Sequence, residues 1–322
     1  MGKRYFNNGP YVKSDITVWG RIKHFIKSFW ASKYDCLLNR NSRRYFGGID
    51  ARKWFYIQEP LAKSHKPVIT WIGQSTFLIQ IDGINILTDP VFSGINFFFT
   101  RNFKPGIPLK KLPKIDYIII SHNHADHMDR GSLLLLKSGN PKILVPKGDK
   151  DWFDYNNFEN VYEMEWWQEE GFDQKIKFSF LPAIHWSGYN PWIINKALWG
   201  SWMIEVAGFK FYFAGDSCYA NHFSDINKKF GKVDVAFLPI GPDQPRELVK
   251  HSHMDSIEAV DSFLDLKAKH FIPMHWGTFR IDGDRFFDPI NKLQTCWDEK
   301  KEALKESELH ILKFGKRKEF EL

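Results

Sequence analysis

Tyr117-Ile118-Ile119-Ile120-Ser121-His122-Asn123-His124-Ala125-Asp126-His127 is the stretch whose reading decides the fold. Its first four residues are apolar, the pattern of a strand buried on both faces. Three histidines and an aspartate then fall within six residues, 122–127. A strand end feeding a tight loop sends alternate side chains the same way, so His122 and His124 share a side. Asp126 and His127 come one turn later and point at a neighbouring position. Imidazole and carboxylate together suit a borderline divalent ion such as zinc. Packing alone gives no reason for such a density of His and Asp.

One cluster does not close a site, and further ligands are expected at similar places. His185 follows an expected strand at 177–181, Asp216 follows one at 209–213, and His275 follows one at 270–272. Each sits just past a strand's C-terminal end, where a sheet scaffold gathers catalytic groups. Five histidines and two aspartates are enough for two metals with positions left for water. Other β-rich runs lie at 68–72, 76–81, 84–87, 142–145, 203–206 and 235–238, with Asp82-Gly83 as a hairpin signal. Helices are expected at 132–137 and at 256–266, the latter capped by Asp255. No internal repeat is visible in the sequence.

Ahead of this region, Val18, Trp19, Ile22, Phe25, Ile26, Phe29 and Trp30 recur at helical spacing, with Arg21, Lys23 and Lys27 elsewhere around the wheel. The helix at 15–34 either docks on the main domain or lies on an anionic membrane surface. Two regions follow: an N-terminal extension, 1–66, and a regular domain, 67–322.

Composition bounds the rest. The chain has 322 residues, of which 43% are hydrophobic, so a large core is available and wholesale disorder is excluded. Cys36, Cys218 and Cys296 are scattered and form no CxxC pair, which excludes a thiolate zinc site and suits a reducing compartment. The net charge of +7 favours anionic partners or serves only solubility. No RNA-binding motif accompanies it, so nucleic acid is not expected. A secretory signal is not expected, and no apolar run is long enough to span a membrane.

The run His122-x-His124-x-Asp126-His127 resembles the HxHxDH signature of the metallo-β-lactamase superfamily. Within it, the chain is most similar to the N-acyl-phosphatidylethanolamine phospholipase D branch and its bacterial relatives. That resemblance spans about residues 67–290 and rests also on Trp71-Ile72-Gly73-Gln74-Ser75-Thr76, Thr88-Asp89-Pro90, Trp199-Gly200-Ser201-Trp202, Ala214-Gly215-Asp216-Ser217 and Met274-His275-Trp276-Gly277-Thr278-Phe279. It implies a four-layer αββα sandwich, an α/β fold, with two divalent metals, zinc by expectation, at one edge. His122, His124 and His185 would hold one; Asp126, His127 and His275 the other; Asp216 would bridge them. It also implies that His253 contacts the substrate phosphate, although Ser252 stands where the family pattern has Gln.

The chemistry expected is hydrolysis by hydroxide held between the metals, with Asp126 orienting it or taking its proton. Asp89 is a candidate for orienting a ligand histidine, and Arg246 for an anion contact. Phe97, Phe98 and Phe99, with Trp186, Tyr189, Trp192 and Trp199, are candidates for lining an acyl channel. The leading expectation is a phosphodiesterase releasing phosphatidic acid and N-acylethanolamine from N-acyl-phosphatidylethanolamine. A lactonase of sugar-phosphate lactones and a noncatalytic membrane-associated protein are the alternatives. The expected location is cytoplasmic, with 15–34 available for the inner membrane face; oligomerisation is left open.

Overall fold

The computed structural model describes residues 51–322 apart from 57, 96–98, 190–192 and 282. The helix expected at 15–34, Phe97, Phe98 and Trp192 lie outside the described residues. Two sheets carry the fold. The first is built from β1 (Val68–Gly73), β2 (Thr76–Ile81), β3 (Ile84–Thr88), β4 (Tyr117–Ile119), β5 (Lys142–Pro146) and β6 (Val161–Met164), and β14 (Arg317–Glu319) joins its β1 edge. The second holds β7 (Glu169–Phe172), β8 (Ile176–Leu181), β9 (Ser201–Val206), β10 (Phe209–Phe213), β11 (Val233–Pro239), β12 (Ala268–Met274) and β13 (Glu308–Leu309), in that order. The helices are α1 (Arg130–Leu136), α2 (Lys150–Tyr155), α3 (His222–Phe230), α4 (Arg246–Val249), α5 (Ser256–Leu266) and α6 (Asp288–Glu299).

Strand alternation explains the layers. Successive side chains point to opposite faces, and here both faces are apolar. Ile69, Trp71, Phe77, Ile79 and Ile119 enter one core with Phe211, Phe237 and Ile272 of the second sheet. Their neighbours Ile72, Leu78, Ile118 and Ile120 turn the other way, into a separate core with Leu133 of α1 and Phe153 of α2. Phe77 and Phe237 meet across the sheets with ring centroids 4.7 Å apart. On the far side, Phe263 of α5 stacks on Phe271 of β12 at 5.2 Å. The order is therefore helices, sheet, sheet, helices, the four-layer sandwich expected.

The two sheets repeat one plan. β1, β2 and β3 are antiparallel, and β4, β5 and β6 then add in parallel. β8, β9 and β10 are antiparallel, and β11, β12 and β13 add in parallel. Consequently β1, β3 and β4 run in one direction, as do β8, β10 and β12. Residues that follow these strands emerge at common edges. The stretch before Pro67 also touches the domain: Trp54 packs edge-on against Trp276 at 5.4 Å, and Gln80 and Asn85 donate to the carbonyls of Leu61 and Ala62.

Candidate metal centre

Each strand end delivers a side chain to one place. Gln74 follows β1, Asp89 follows β3, and His122, His124, Asp126 and His127 fill the loop between β4 and α1. His185, Asp216 and His275 follow β8, β10 and β12. Gln74, Asp89 and His275 have φ of 52°, 31° and 61°, a left-handed backbone that side chains adopt only where the surroundings impose it. These sharp departures from the strands turn the side chains into the site.

Two clusters result. His124 Nδ1 lies 2.8 Å from His122 Nε2 and 3.2 Å from His185 Nε2. Asp126 Oδ2 lies 3.2 Å from His275 Nε2 and 3.5 Å from His127 Nε2. Asp216 Oδ2 stands between them, 3.2 Å from His275 Nε2, 3.3 Å from His127 Nε2, 3.7 Å from His185 Nε2 and 3.9 Å from His122 Nε2. All seven expected ligands are thus brought together.

A second layer fixes which ring nitrogen faces inward. Asp89 accepts from the Ser121 backbone N–H (2.7 Å), the Ser121 hydroxyl (2.6 Å) and His127 Nδ1 (2.7 Å). The serine's single proton goes to that carboxylate, so His122 Nδ1, 2.9 Å from Ser121 Oγ, is the donor of its contact. His185 Nδ1 donates to the Ser252 carbonyl at 2.8 Å. In all three rings Nε2 is turned toward the cluster, the orientation a metal ligand requires. Asp89 therefore orients His127 directly and His122 through Ser121. Gln74 Nε2 donates to Asp126 Oδ2 at 2.9 Å.

Electrostatics separates the clusters. Burial, reinforced by neighbouring histidines, holds His122 well below the usual histidine range. Burial lowers His124 and His185 to about 3, so these rings are neutral ligands. Burial also acts to lower His127 and His275, but the carboxylates of Asp216 and Asp126 overcome it. They hold His127 well above its ordinary value and raise His275 to about 9. In return, these two histidines keep Asp126 and Asp216 below the usual carboxylate range against the opposing effect of burial. A divalent cation would take the place of those protons. His127 Nε2 and Asp216 Oδ1 are buried without a hydrogen-bond partner, a cost that a cation between the clusters removes. The donor set fits divalent metal.

His253 reaches the same centre. Its Nδ1 lies 3.6 Å from Asp216 Oδ2, its ring is 4.9 Å from that of His185, and burial holds its pKa well below the usual range. It does not cap α5: Asp255 does, in a capping box with Glu258. Arg246 is not free to meet an anion. It donates to the His253 carbonyl at 2.9 Å and pairs with Glu258, so it holds the His253 loop.

The aromatic candidates divide. Trp199 is fully buried and donates to the Ala183 carbonyl at 3.0 Å, so it belongs to the core. Phe99 is also buried. Trp186 packs edge-on against His124 at 4.0 Å, and exposed Tyr189 lies under the Arg130 guanidinium at 3.8 Å. Gln74 and Ser121 carry no signal in the sequence, yet they hold Asp126 and Asp89. Their work is done by contacts to distant residues, which leave no mark on local spacing. Asn123, equally silent in the sequence, donates to Asp149 at 2.7 Å and accepts from the Gly188 N–H at 2.6 Å, bracing the loop between two ligands.

Residues 84–276, which include every expected ligand, match the family described as Beta-lactamase superfamily domain. The chain belongs to the metallo-β-lactamase superfamily. Among curated superfamily relatives, it is 36% identical over 238 residues to an N-acyl-phosphatidylethanolamine-hydrolyzing phospholipase D, mitochondrial, of Saccharomyces cerevisiae, covering 70% of this chain and 50% of that protein. It is 30% identical over 263 residues to N-acyl-phosphatidylethanolamine-hydrolyzing phospholipase D 1 of Caenorhabditis elegans, covering 76% of this chain and 74% of that one. The match thus spans half the length of the yeast relative. A metallo hydrolase structure from the archaeon Ignicoccus hospitalis shares the superfamily fold with a TM-score of 0.62 at 22% identity, covering 80% of this chain and 99% of that one.

Proposed function

We propose that the chain is a zinc-dependent phosphodiesterase of phospholipase D type that cleaves N-acyl-phosphatidylethanolamine to phosphatidic acid and N-acylethanolamine. The similarity to the yeast and worm relatives carries the substrate class. In this reading His122, His124 and His185 hold one cation, Asp126, His127 and His275 the other, and Asp216 faces both. When bound, the two cations lower the pKa of a water and neutralise charge developing on the phosphoryl oxygens.

The remaining work falls to side chains. Asp126, kept ionised by His127 and His275, takes the water proton. Gln74 fixes that carboxylate through its 2.9 Å hydrogen bond. His253, neutral and next to Asp216, donates to a phosphate oxygen. Water supplies hydroxyl to phosphorus, and the proton goes to the departing N-acylethanolamine oxygen. Leu134 and Leu135, exposed on the helix that leaves the metal loop, offer an apolar contact to a lipid surface. No helix among the described residues is long and apolar enough to cross a membrane, so the contact proposed is peripheral, made there and through residues 15–34.

The test is hydrolysis by zinc-loaded protein of N-acyl-phosphatidylethanolamine, other phospholipids and a lactone panel, with His124→Ala as the blank. Release of phosphatidic acid that the blank lacks is expected. Lactone turnover without lipid turnover would move the reading to carbonyl chemistry, and vesicle binding without any turnover would move it to a noncatalytic role.

A further inference from the structure

Three potential ligands converge far from this centre. Glu308 of β13 lies opposite His270 of β12 in the sheet register, and His310 comes two residues after Glu308, on the same side of the chain. The His310 N–H donates to the Phe271 carbonyl at 2.8 Å, which holds this segment beside β12. His310 Nε2 lies 3.2 Å from His270 Nδ1 and 3.5 Å from Glu308 Oε2, and His270 Nδ1 lies 3.9 Å from that oxygen. Tetrahedral zinc with bonds of about 2.0–2.1 Å places its ligands roughly 3.3 Å apart. The triangle therefore has the dimensions of a zinc-ligand face.

The surroundings suit a structural ion. His270 is 7% exposed, and the Phe320 ring covers both imidazoles, 4.9 Å from His270 and 5.4 Å from His310. The Glu308 side chain is 58% exposed, which leaves water access for a fourth ligand. Two cations, Lys269 and Lys318, act on His270 and are opposed by the carboxylates of Glu308 and Asp234. His270 and His275 are five residues apart along β12, roughly 16 Å at strand rise, so the triangle and the catalytic cluster stand at opposite ends of the sandwich.

We propose that His270, Glu308 and His310 bind a further divalent cation, zinc or a similar borderline ion, that fastens β13 and the C-terminal segment to β12. Without metal, one imidazole N–H donates to the other ring. Binding shifts that ring to its other tautomer, its proton moving to the ring nitrogen that faces away, and places both nitrogens and one carboxylate oxygen on the ion. The site has no part in hydrolysis and does not depend on the substrate assigned above.

Full-length protein would be loaded with zinc and desalted, and its metal content and zinc-dependent rise in Tm measured for wild type, Glu308→Ala and His310→Ala. Glu308 is exposed in a two-residue strand, so its variant does not threaten the fold. Each variant is expected to retain one equivalent fewer than wild type and to show a smaller rise in Tm, with hydrolysis unchanged. Competition with a chelator should show the lost equivalent weakened by about tenfold or more. Equal metal content and equal rises in Tm across all three proteins would overturn the proposal.

Discussion

Asp89 does several jobs with one carboxylate: it aligns His127 directly, His122 through Ser121, and the start of the metal loop through the Ser121 backbone. Replacing it by Asn removes the charge but keeps the shape. Asp89→Asn should weaken metal binding by about 10–100-fold, as loss of an orienting carboxylate does elsewhere; zinc titration against a chelator reads this directly. His253 should behave differently, because it faces the centre without being one of the seven expected ligands. His253→Ala should lower kcat by about 10²–10³-fold, the range for loss of a hydrogen bond to developing negative charge, while metal content stays at the wild-type level. Full activity in that variant would remove His253 from the mechanism. At this scale the sequence was readable where chemistry is concentrated. The His122–His127 run announces itself, and His185, Asp216 and His275 follow visible strands. Ser121 and Gln74 stay hidden because serine and glutamine occur anywhere, and only the assembled sheets place them against Asp89 and Asp126.

At the scale of elements, buried strands were legible and polar edges were not. β1 and β2 are buried at every position, which is why their apolar runs stand out. β7, Glu-Glu-Gly-Phe, buries only its last residue, and β13 has two residues, so neither signals itself. The helix expected at 132 begins at Arg130, because Asp129 caps it by accepting from the Gly131 N–H. α6 buries a stripe of Ile290, Leu293 and Cys296, but Phe287 stands at its N-cap and gives no capping hydrogen bond, so its start carries no signal. Two changes test how elements hold the centre. Asp255→Ala should destabilise the protein by about 1–2 kcal/mol through loss of the α5 cap, visible as a lower urea midpoint. Gly215, at φ +58°, precedes Asp216, and a Cβ there would sit 2.5 Å from the Ser121 Cβ. Gly215→Ala should therefore cost about 1–3 kcal/mol and loosen metal binding as well, since it pushes on the serine that serves Asp89.

For the whole molecule, the repeated plan of the two sheets places Asp89 and Asp216 at equivalent points, each just after the third strand of an antiparallel set. No repeat was visible in sequence, because the two halves share strand directions rather than residues. The molecule also has a built-in sensitivity to acid. His222 is buried at the start of α3 against Phe223, and burial lowers its pKa to about 3. Its folded pKa lies below the unfolded value of about 6.5, so its contribution is complete above that pH. It is lost as pH falls from about 6.5 to about 3, by up to about 1.4 kcal/mol per unit. Wild type and His222→Gln, both zinc-loaded, should accordingly show denaturation midpoints that converge as pH falls through this window. Parallel curves would sink the assignment.

The pairing of β1 with β14 joins residues distant in sequence: Val68 lies opposite Glu319, and Lys66 bonds Glu321 at 2.8 Å. Residues 66–70 and 317–321 are neighbours in space. A short linker from Leu322 to Pro67, with new ends cut at Gly139, where nothing lies within 4 Å of an added Cβ, would give a circular permutant of residues 67–322, without the contacts that Trp54, Leu61 and Ala62 make. Every metal ligand would keep its place in space while the order of the two ligand-bearing halves along the chain was exchanged. The centre is a property of the closed architecture, indifferent to where the chain begins.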